Sequence, residues 1–440
     1  MTDLSLAGLF AVSAGIVDPH PAMIGPFALM LLCVALMPFL RKHWWEQHYP
    51  KVASALALIP LVYYVAVLRH GGRMLHVAHE YLSFIALIGS LFVVAGGIHI
   101  RVKGEAKPAI NCLFLFIGAA LANVIGTTGA SMLLIRPWIR MNQYRITAFH
   151  VVFFIFTVSN IGGCLTPVGD PPLFLGYLKG VPFWWVLEHC WPAWGLALLA
   201  MISIFYGLDR HNFMRASKPI RQKETASETW QFEGLRNLPF LGVILGAVFL
   251  KNPTGLSEAL MVVAAIGSWF WTPESIHRAN NFNFAPIREV AWLFLGIFAT
   301  MAPALDYLEF HSATLGLDSA MKFFWLTGAL SAVLDNAPTY LTFLAAALGR
   351  HHLSLNSPDD VHLFVGQRHH QLIAISLGAV FFGAMTYIGN GPNFMVRSIS
   401  EQARVNTPGF FAYLLKYAVP ILLPVFALIS VLFFSRWRVF

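Results

Sequence analysis

Apolar residues run along this 440-residue chain in blocks far longer than one face of an amphipathic helix requires. A helix needs about 20 successive apolar residues to cross roughly 30 Å of hydrocarbon. Such blocks lie near 22–40, 51–68, 80–100, 183–207, 237–251, 256–272, 289–308 and 410–434. Two longer blocks, 147–178 and 371–404, also read as spans. At about 1.5 Å per residue the first would be roughly 48 Å long as one helix, so it must tilt or break. The run "LTPVGDPPLFLGY" inside it, at 165–177, puts two glycines, an aspartate and three prolines where an apolar helix would continue.

Two further blocks, 109–135 and 322–349, carry polar or helix-breaking residues at their centres, "ANVIGTTGAS" and "LDNAPTY". A polar centre predicts a re-entrant hairpin, because irregular backbone at membrane depth is tolerated only where protein or water satisfies it. A kinked span is the alternative. The pattern therefore predicts an all-α polytopic membrane protein with about ten transmembrane helices, two re-entrant hairpins and two broken helices.

Composition agrees. The chain is 57% hydrophobic and 11% charged, against roughly 25% charged in soluble domains. With ten spans and the N-terminus outside, twenty of the 29 Lys and Arg residues fall on the inner face and nine on the outer, with Arg436 and Arg438 as the main dissent. That bias obeys the positive-inside rule, so the net charge of +8 is a topological signal and predicts no nucleic-acid partner. No Lys or Arg precedes Arg41, which argues against a secretory signal. These features predict an integral protein of a bacterial inner (plasma) membrane. Cys33, Cys112, Cys164 and Cys190 all fall in apolar blocks and read as free thiols.

The blocks repeat. Helices within 1–79 precede a first repeat at 80–207; a polar cytoplasmic linker at 208–236 leads to helices within 237–288 and a second repeat at 289–440. Five spans per half is an odd number, so the repeats are inverted. "TPVGDPPLF" aligns with "TYIGNGPNF", matching Thr166 with Thr386, Gly169 with Gly389, Pro172 with Pro392 and Phe174 with Phe394, and setting Asp170 opposite Asn390. Glu80 and Glu289 open corresponding spans, and Ala122, beside Asn123, faces Asp335. Interrupted segments at corresponding places in inverted halves point to a transporter's binding site.

A helix broken at mid-membrane exposes amides at one new end and carbonyls at the other. Gly162, Gly163 and Gly169 permit unusual backbone angles, and Pro167, Pro171 and Pro172 keep the gap from closing. A kink used for packing is the alternative. A carboxylate at such depth is a functional hypothesis by default. If each hairpin packs its tip against the break of its own half, one site gathers Asn123, Thr127, Thr128, Thr166, Gly169 and Asp170. The other gathers Asp335, Asn336, Thr339, Thr386, Asn390 and Asn393. Both sets are hard oxygen ligands suited to an alkali cation such as sodium or lithium. A desolvated carboxylate can exchange a proton for that cation, so Asp170 and Asp335 are the expected proton-coupling and sodium-binding groups. Sodium and protons are cargo here, with no resident cofactor expected.

"HVAHE" at 76–80 has metal-ligand spacing on a helix, which raises an intramembrane metalloenzyme as an alternative to a solvated interfacial cluster. His150 could relay protons, Glu188 and His189 could pair or line a vestibule, and His351, His352, His362, His369 and His370 could sense pH.

The segments "GGCLTPVGDPPLF", "LDNAPTYLTF" and "GAMTYIGNGPNFMV" resemble the Ion Transporter superfamily, and within it the branch of NhaD-like sodium/proton antiporters often labelled citrate-transporter-like. The resemblance implies inverted repeats with re-entrant hairpins and a homodimer in which a transport domain moves against a scaffold, giving elevator-type alternating access. The chain departs from the sodium-coupled dicarboxylate branch, whose hairpin tips carry Ser-Asn-Thr, for its own tips read "ANVIGTT" and "DNAPT". The expected function is sodium(lithium)/proton antiport, without enzymatic activity. The alternatives are cation-coupled uptake of citrate or another small carboxylate, and efflux of the arsenite-permease type.

Overall fold

Uninterrupted apolar residues leave the backbone no partner in hydrocarbon except itself, so the long blocks close their hydrogen bonds within helices. The computed structural model describes residues 18–435 except 104–106, 216–228, 251–253 and 313–315. Lys218, Arg221, Lys223, Lys251, Arg436 and Arg438, which enter the charge count above, lie outside the described residues. The helices of the first half are α1 (Ile24–Leu40), α2 (Lys42–Val67), α3 (Gly71–Gly96), α4 (Pro108–Arg140), α5 (Ala148–Thr157), α6 (Pro171–Leu178) and α7 (Trp185–Arg215). The second half comprises α8 (Leu238–Ala247), α9 (Leu256–Trp271), α10 (Glu274–Ala279), α11 (Ala285–His311), α12 (Ala320–Ser331), α13 (Asn336–Arg350), α14 (Pro358–Gln367), α15 (His369–Phe382), α16 (Gly391–Gln402) and α17 (Phe410–Phe434). Among the described residues, eight stretches are long and apolar enough to cross a membrane, and three shorter apolar helices accompany them. The chain is an all-α polytopic membrane protein.

One small sheet stands outside this pattern. β1 (His99–Lys103) pairs antiparallel with β2 (Thr229–Glu233), setting His99 opposite Glu233 and Arg101 opposite Gln231. Arg101 also reaches Glu233 at 3.3 Å. The ribbon ties the loop before the first hairpin to the connection between the halves, a pairing that apolar periodicity does not reveal.

The block at α4 passes as a span by length and composition, yet it folds back on itself. Gly126 sits at φ 76°, ψ 156°, a conformation essentially confined to glycine. Beyond it the helix reverses. The Phe114 and Trp138 rings stack at 5.5 Å, whereas 24 residues of straight helix would hold them about 36 Å apart. The ends meet as well, for Asn111 Nδ2 donates to Asn142 Oδ1 at 2.7 Å and Asn142 Nδ2 returns a bond to Asn111 Oδ1 at 3.1 Å. The second hairpin is α12 and α13, joined by a turn that Asp335 closes as helix cap, its Oδ1 accepting from Ala337 N at 3.0 Å. Phe323 on one arm meets Phe343 on the other at 6.5 Å.

Both broken helices are present. The first half's is α5, a 3-10 turn at Ile161–Leu165, an extended break, and α6; the second half's is α15, a 3-10 turn at Gly383–Met385, a break, and α16. Prolines at the first or second position restart α6 and α16, where a missing N–H costs nothing.

Hairpin and break dock through the same hydrogen bonds in each half. Thr127 N donates to Gly169 O at 2.8 Å and Asn336 N to Gly389 O at 3.2 Å. Thr166 Oγ1 donates to Asn123 O at 2.6 Å and Thr386 Oγ1 to Ala332 O at 2.7 Å. These pairs confirm the match of the breaks but correct the match of the hairpins. Asn336 corresponds to Thr127 and Ala332 to Asn123, so Asp335 stands opposite Gly126 and not Ala122. The shared asparagine beside each acid or alanine misleads because the first hairpin reaches its docking point four residues further along its helix.

A buried polar cluster closes the open end of the first hairpin. Asp209 on α7 is fully buried and pairs with Arg145, accepts from Asn111 Nδ2 at 2.8 Å, and lies 3.1 Å from His150 Nε2. His150 is thereby held at the start of α5 as a hydrogen-bond partner of Asp209, bonded on its other nitrogen to Thr147. Removing one member of such a pair leaves a buried charge without compensation. Asp209→Ala is therefore expected to destabilise the protein by about 3–5 kcal/mol, with part of the loss recovered in Arg145→Met/Asp209→Leu. Thermal unfolding in detergent checks this, and an unchanged midpoint for Asp209→Ala contradicts it.

Candidate functional site

The two breaks present Asp170 and Asn390 at equivalent places, each immediately before the helix that restarts. Neither side chain caps its helix, so both are free to turn into the protein. Asp170 is completely buried. Its Oδ1 accepts from Thr127 Oγ1 at 2.7 Å and from Asn390 Nδ2 at 3.0 Å. Its Oδ2 accepts from Asn336 Nδ2 at 2.6 Å. Three donors thus converge on one carboxylate, from the first hairpin, the second hairpin and the second break.

This arrangement differs from two separate sites holding one acid each. Thr127, Asp170, Asn336 and Asn390 form a single centre across both halves. Asn390 Nδ2 also reaches Ser159 O at 3.1 Å and Asn160 Oδ1 at 3.3 Å. Asn160 Nδ2 donates to Asn393 Oδ1 at 2.7 Å, and Asn393 Nδ2 returns bonds to Gly383 O and Thr386 O of the second break. Asn160 and Ser159 escaped the sequence reading, although an asparagine ending the run "FFIFTVSN" before two glycines was a signal that could have been used. Within this centre Asn336 Oδ1 is buried and has no hydrogen-bond partner, leaving an amide oxygen unused beside Asp170.

The remaining expected residues divide by role. Asn123 braces the first docking: its Nδ2 donates to Gly162 O at 2.7 Å while Oδ1 accepts from Leu165 N at 2.8 Å. Thr166 and Thr386 are the side-chain bolts of the two dockings, and each also accepts from the backbone of its own break. Gly169 supplies the carbonyl that Thr127 N meets. Thr339 turns back to Asp335 O on its own helix at 2.9 Å. Asp335 itself is partly buried and is engaged as the cap of α13. Thr128 lines a small cleft together with Leu87 and Leu91 of α3, Thr127, Gly169 and Asp170. Asp170 is the one charged side chain among the lining residues.

Histidines named from the sequence are placed elsewhere. His76 lies 3.0 Å from Glu80, while His79 turns to Glu258 at 3.9 Å, so the two do not share a carboxylate. His189 bonds the carbonyl of Trp185 at 2.8 Å. Among the described residues no group of three or more His, Cys, Asp or Glu side chains is disposed to hold a metal ion.

Two comparisons bear on this geometry. A family described as "Putative citrate transport" matches residues 19–434. The chain is also similar to a protein of Mycobacterium leprae described as a 46 kDa membrane protein, at 24% identity over 319 residues, covering 68% of this chain and 72% of that protein.

The break tolerates no side chain at Gly169. A Cβ there would lie 2.2 Å from Gly163 O, backbone that is itself held against the first hairpin. Gly169→Val is expected to cost about 1–3 kcal/mol or more through forced backbone shifts and to displace Asp170 from Thr127. A thermal midpoint equal to that of the unaltered protein would show this packing to be looser than the structure has it.

Proposed function

The chain belongs to the family described as putative citrate transport, and from that premise we propose that this membrane transport protein exchanges sodium or lithium for protons at Asp170. The observation that carries this reading is the convergence of Thr127, Asn336 and Asn390 on one completely buried carboxylate beside the cleft. An uncharged oxygen- and amide-rich surround with a single acid suits a small hard cation. A carboxylate binds either a proton or such a cation, and occupancy by one displaces the other. The unused Oδ1 of Asn336 is a further oxygen ligand within the same centre.

Asp335 then has a lesser part. Its oxygen caps α13, so it contributes negative potential to the neighbourhood while Asp170 exchanges. Thr128, lining the cleft, meets the cation on its way to Asp170. The inverted halves, whose hairpins both dock near one centre, suit alternating access by movement of that assembly against α1–α3 and α8–α11, with a homodimer and an outside N-terminus in a bacterial inner membrane completing the proposal.

A second reading is cation-coupled uptake of citrate or another small carboxylate, favoured by the description of the family. Against it stands the lining of the cleft, where Asp170 is the sole charge and is negative. A carboxylate substrate would need a cation or a proton at Asp170 first.

The test uses sealed proteoliposomes containing a pH dye at fixed membrane potential, with sodium, lithium, potassium or citrate added separately. Sodium or lithium alone is expected to move protons, with apparent cation affinity falling as pH falls because protons compete for Asp170. Asp170→Asn abolishes the flux while the protein stays folded. Asp335→Asn, whose amide caps a helix as well as a carboxylate does, slows it by about tenfold or less. Citrate accumulation that depends on the cations, with no flux from cations alone, would replace antiport by symport.

A further inference from the structure

The cleft that leads to Asp170 lies along a seam between α3 and the first broken helix. Glu80, Phe84, Leu87 and Leu91 recur at helical spacing and share one face of α3. Leu87 and Leu91 line the cleft. Phe84 meets Phe174 of α6 with ring centroids 6.5 Å apart. Beyond that contact, Glu80 Oε1 pairs with Lys179 Nζ at 2.7 Å, with both side chains buried. Lys179 directly follows the last residue of α6, and Asp170 directly precedes its first. Eight helical residues, about 12 Å of rigid rod, therefore connect the ion pair to the carboxylate at the centre.

The two sides of the seam have different principal neighbours and touch each other little. α6 is bound to the second hairpin, so closely that a Cβ on Gly176 would lie 2.4 Å from Tyr340 Oη. α3 packs chiefly against α9, and also against α11 and the first hairpin. Glu80 and Lys179 are thus a charged tie across a thinly packed seam, beyond one end of the cleft. Each also keeps a partner on its own side. His76, one turn away on α3, lies 3.0 Å from Glu80 Oε1, and Lys179 Nζ donates to Asn356 Oδ1 at 3.3 Å in the loop that follows the second hairpin. Parting a buried ion pair normally strands two charges. Here His76 and Asn356 remain to receive them, which makes the tie separable.

We propose that the Glu80–Lys179 pair is a gate on the α3–α6 seam, engaged in this structure, whose parting widens the cleft at Asp170. The proposal rests on the cleft being the route to the centre and is independent of what is carried. Glu80 is then a gating residue in its own right, where the sequence had marked it as the opening residue of a repeat.

Site-directed labelling tests it. A cysteine at Ile88, which lines the cleft from α3, is exposed to a membrane-impermeant maleimide added to either side of sealed vesicles, and labelling is scored above that of the parent protein. Glu80→Gln and Lys179→Gln are each expected to raise the labelling rate from one side by about tenfold or more. The exchange Glu80→Lys/Lys179→Glu is expected to return it toward the parent rate. Equal labelling in the parent and both single variants overturns the gate. Where the single variants do not fold, Glu80→Cys/Lys179→Cys decides the matter: bridging the two thiols with a bifunctional methanethiosulfonate that spans the gap left by the long side chains is expected to stop proton flux and a reductant to restore it, whereas continued flux through bridged protein overturns the proposal. Absence of sodium-driven flux in the unaltered protein would count against antiport alone, since the labelling result does not depend on the cargo.

Discussion

A single carboxylate withdrawn from water sets the terms for the rest of this molecule. Burying an ionisable group in a low-dielectric interior is costly unless donors surround it, and among the described residues the side chains that donate to Asp170 are all neutral. The donors come from three other segments: Thr127 Oγ1, Asn336 Nδ2 and Asn390 Nδ2. Two of the three belong to the opposite half of the chain. Neither half can satisfy Asp170 alone, so the docking of the repeats and the solvation of the acid are the same event.

The repeats are alike in backbone and unlike in charge. Each hairpin tip donates an amide to the glycine carbonyl of its break, and each break threonine donates to the hairpin carbonyl four residues earlier. These bonds answer a requirement that both halves face equally, since irregular backbone at membrane depth must find partners within the protein. Side chains have no such shared requirement. Asp170 has Asn390 as its counterpart, and a second acid placed there would repel the first at close range. An asparagine in that position supplies a donor in place of a charge, and through Asn160 and Asn393 it ties the centre to both breaks.

Two other clusters of buried charge serve geometry. Asp306 on α11 accepts from Tyr64 Oη at 2.6 Å and from Arg73 Nη2 at 2.9 Å, binding α2 and α3 to α11. Asp209 and Arg145 bind α7 to the open end of the first hairpin. Buried pairs add little net stability compared with apolar packing, but their directional bonds disfavour alternative arrangements of otherwise interchangeable apolar helices. In a chain where 57% of the residues are hydrophobic, such bonds are fixed points between helices whose other contacts are largely apolar.

The sequence by itself determined the membrane class and the approximate spans, and pointed to both breaks and, with a kinked span as the alternative, to both hairpins, because these follow from apolar block length and from where Gly, Pro and polar residues interrupt it. It also singled out Asp170, since a carboxylate inside an apolar block has few explanations. Tertiary structure alone decided that the expected pair of sites is one centre, that Asp335 caps a helix, that Asn160 joins the network, and that Glu80 meets Lys179 across a seam. The correspondence of Asp335 with Gly126 likewise became visible only through hydrogen bonds. The physical reason is common to all of these: block patterns report how a residue partitions between lipid and water, a property of its local segment. Which side chains meet depends on how far each hairpin reaches and where its tip docks, and those are set by contacts between segments up to 233 residues apart.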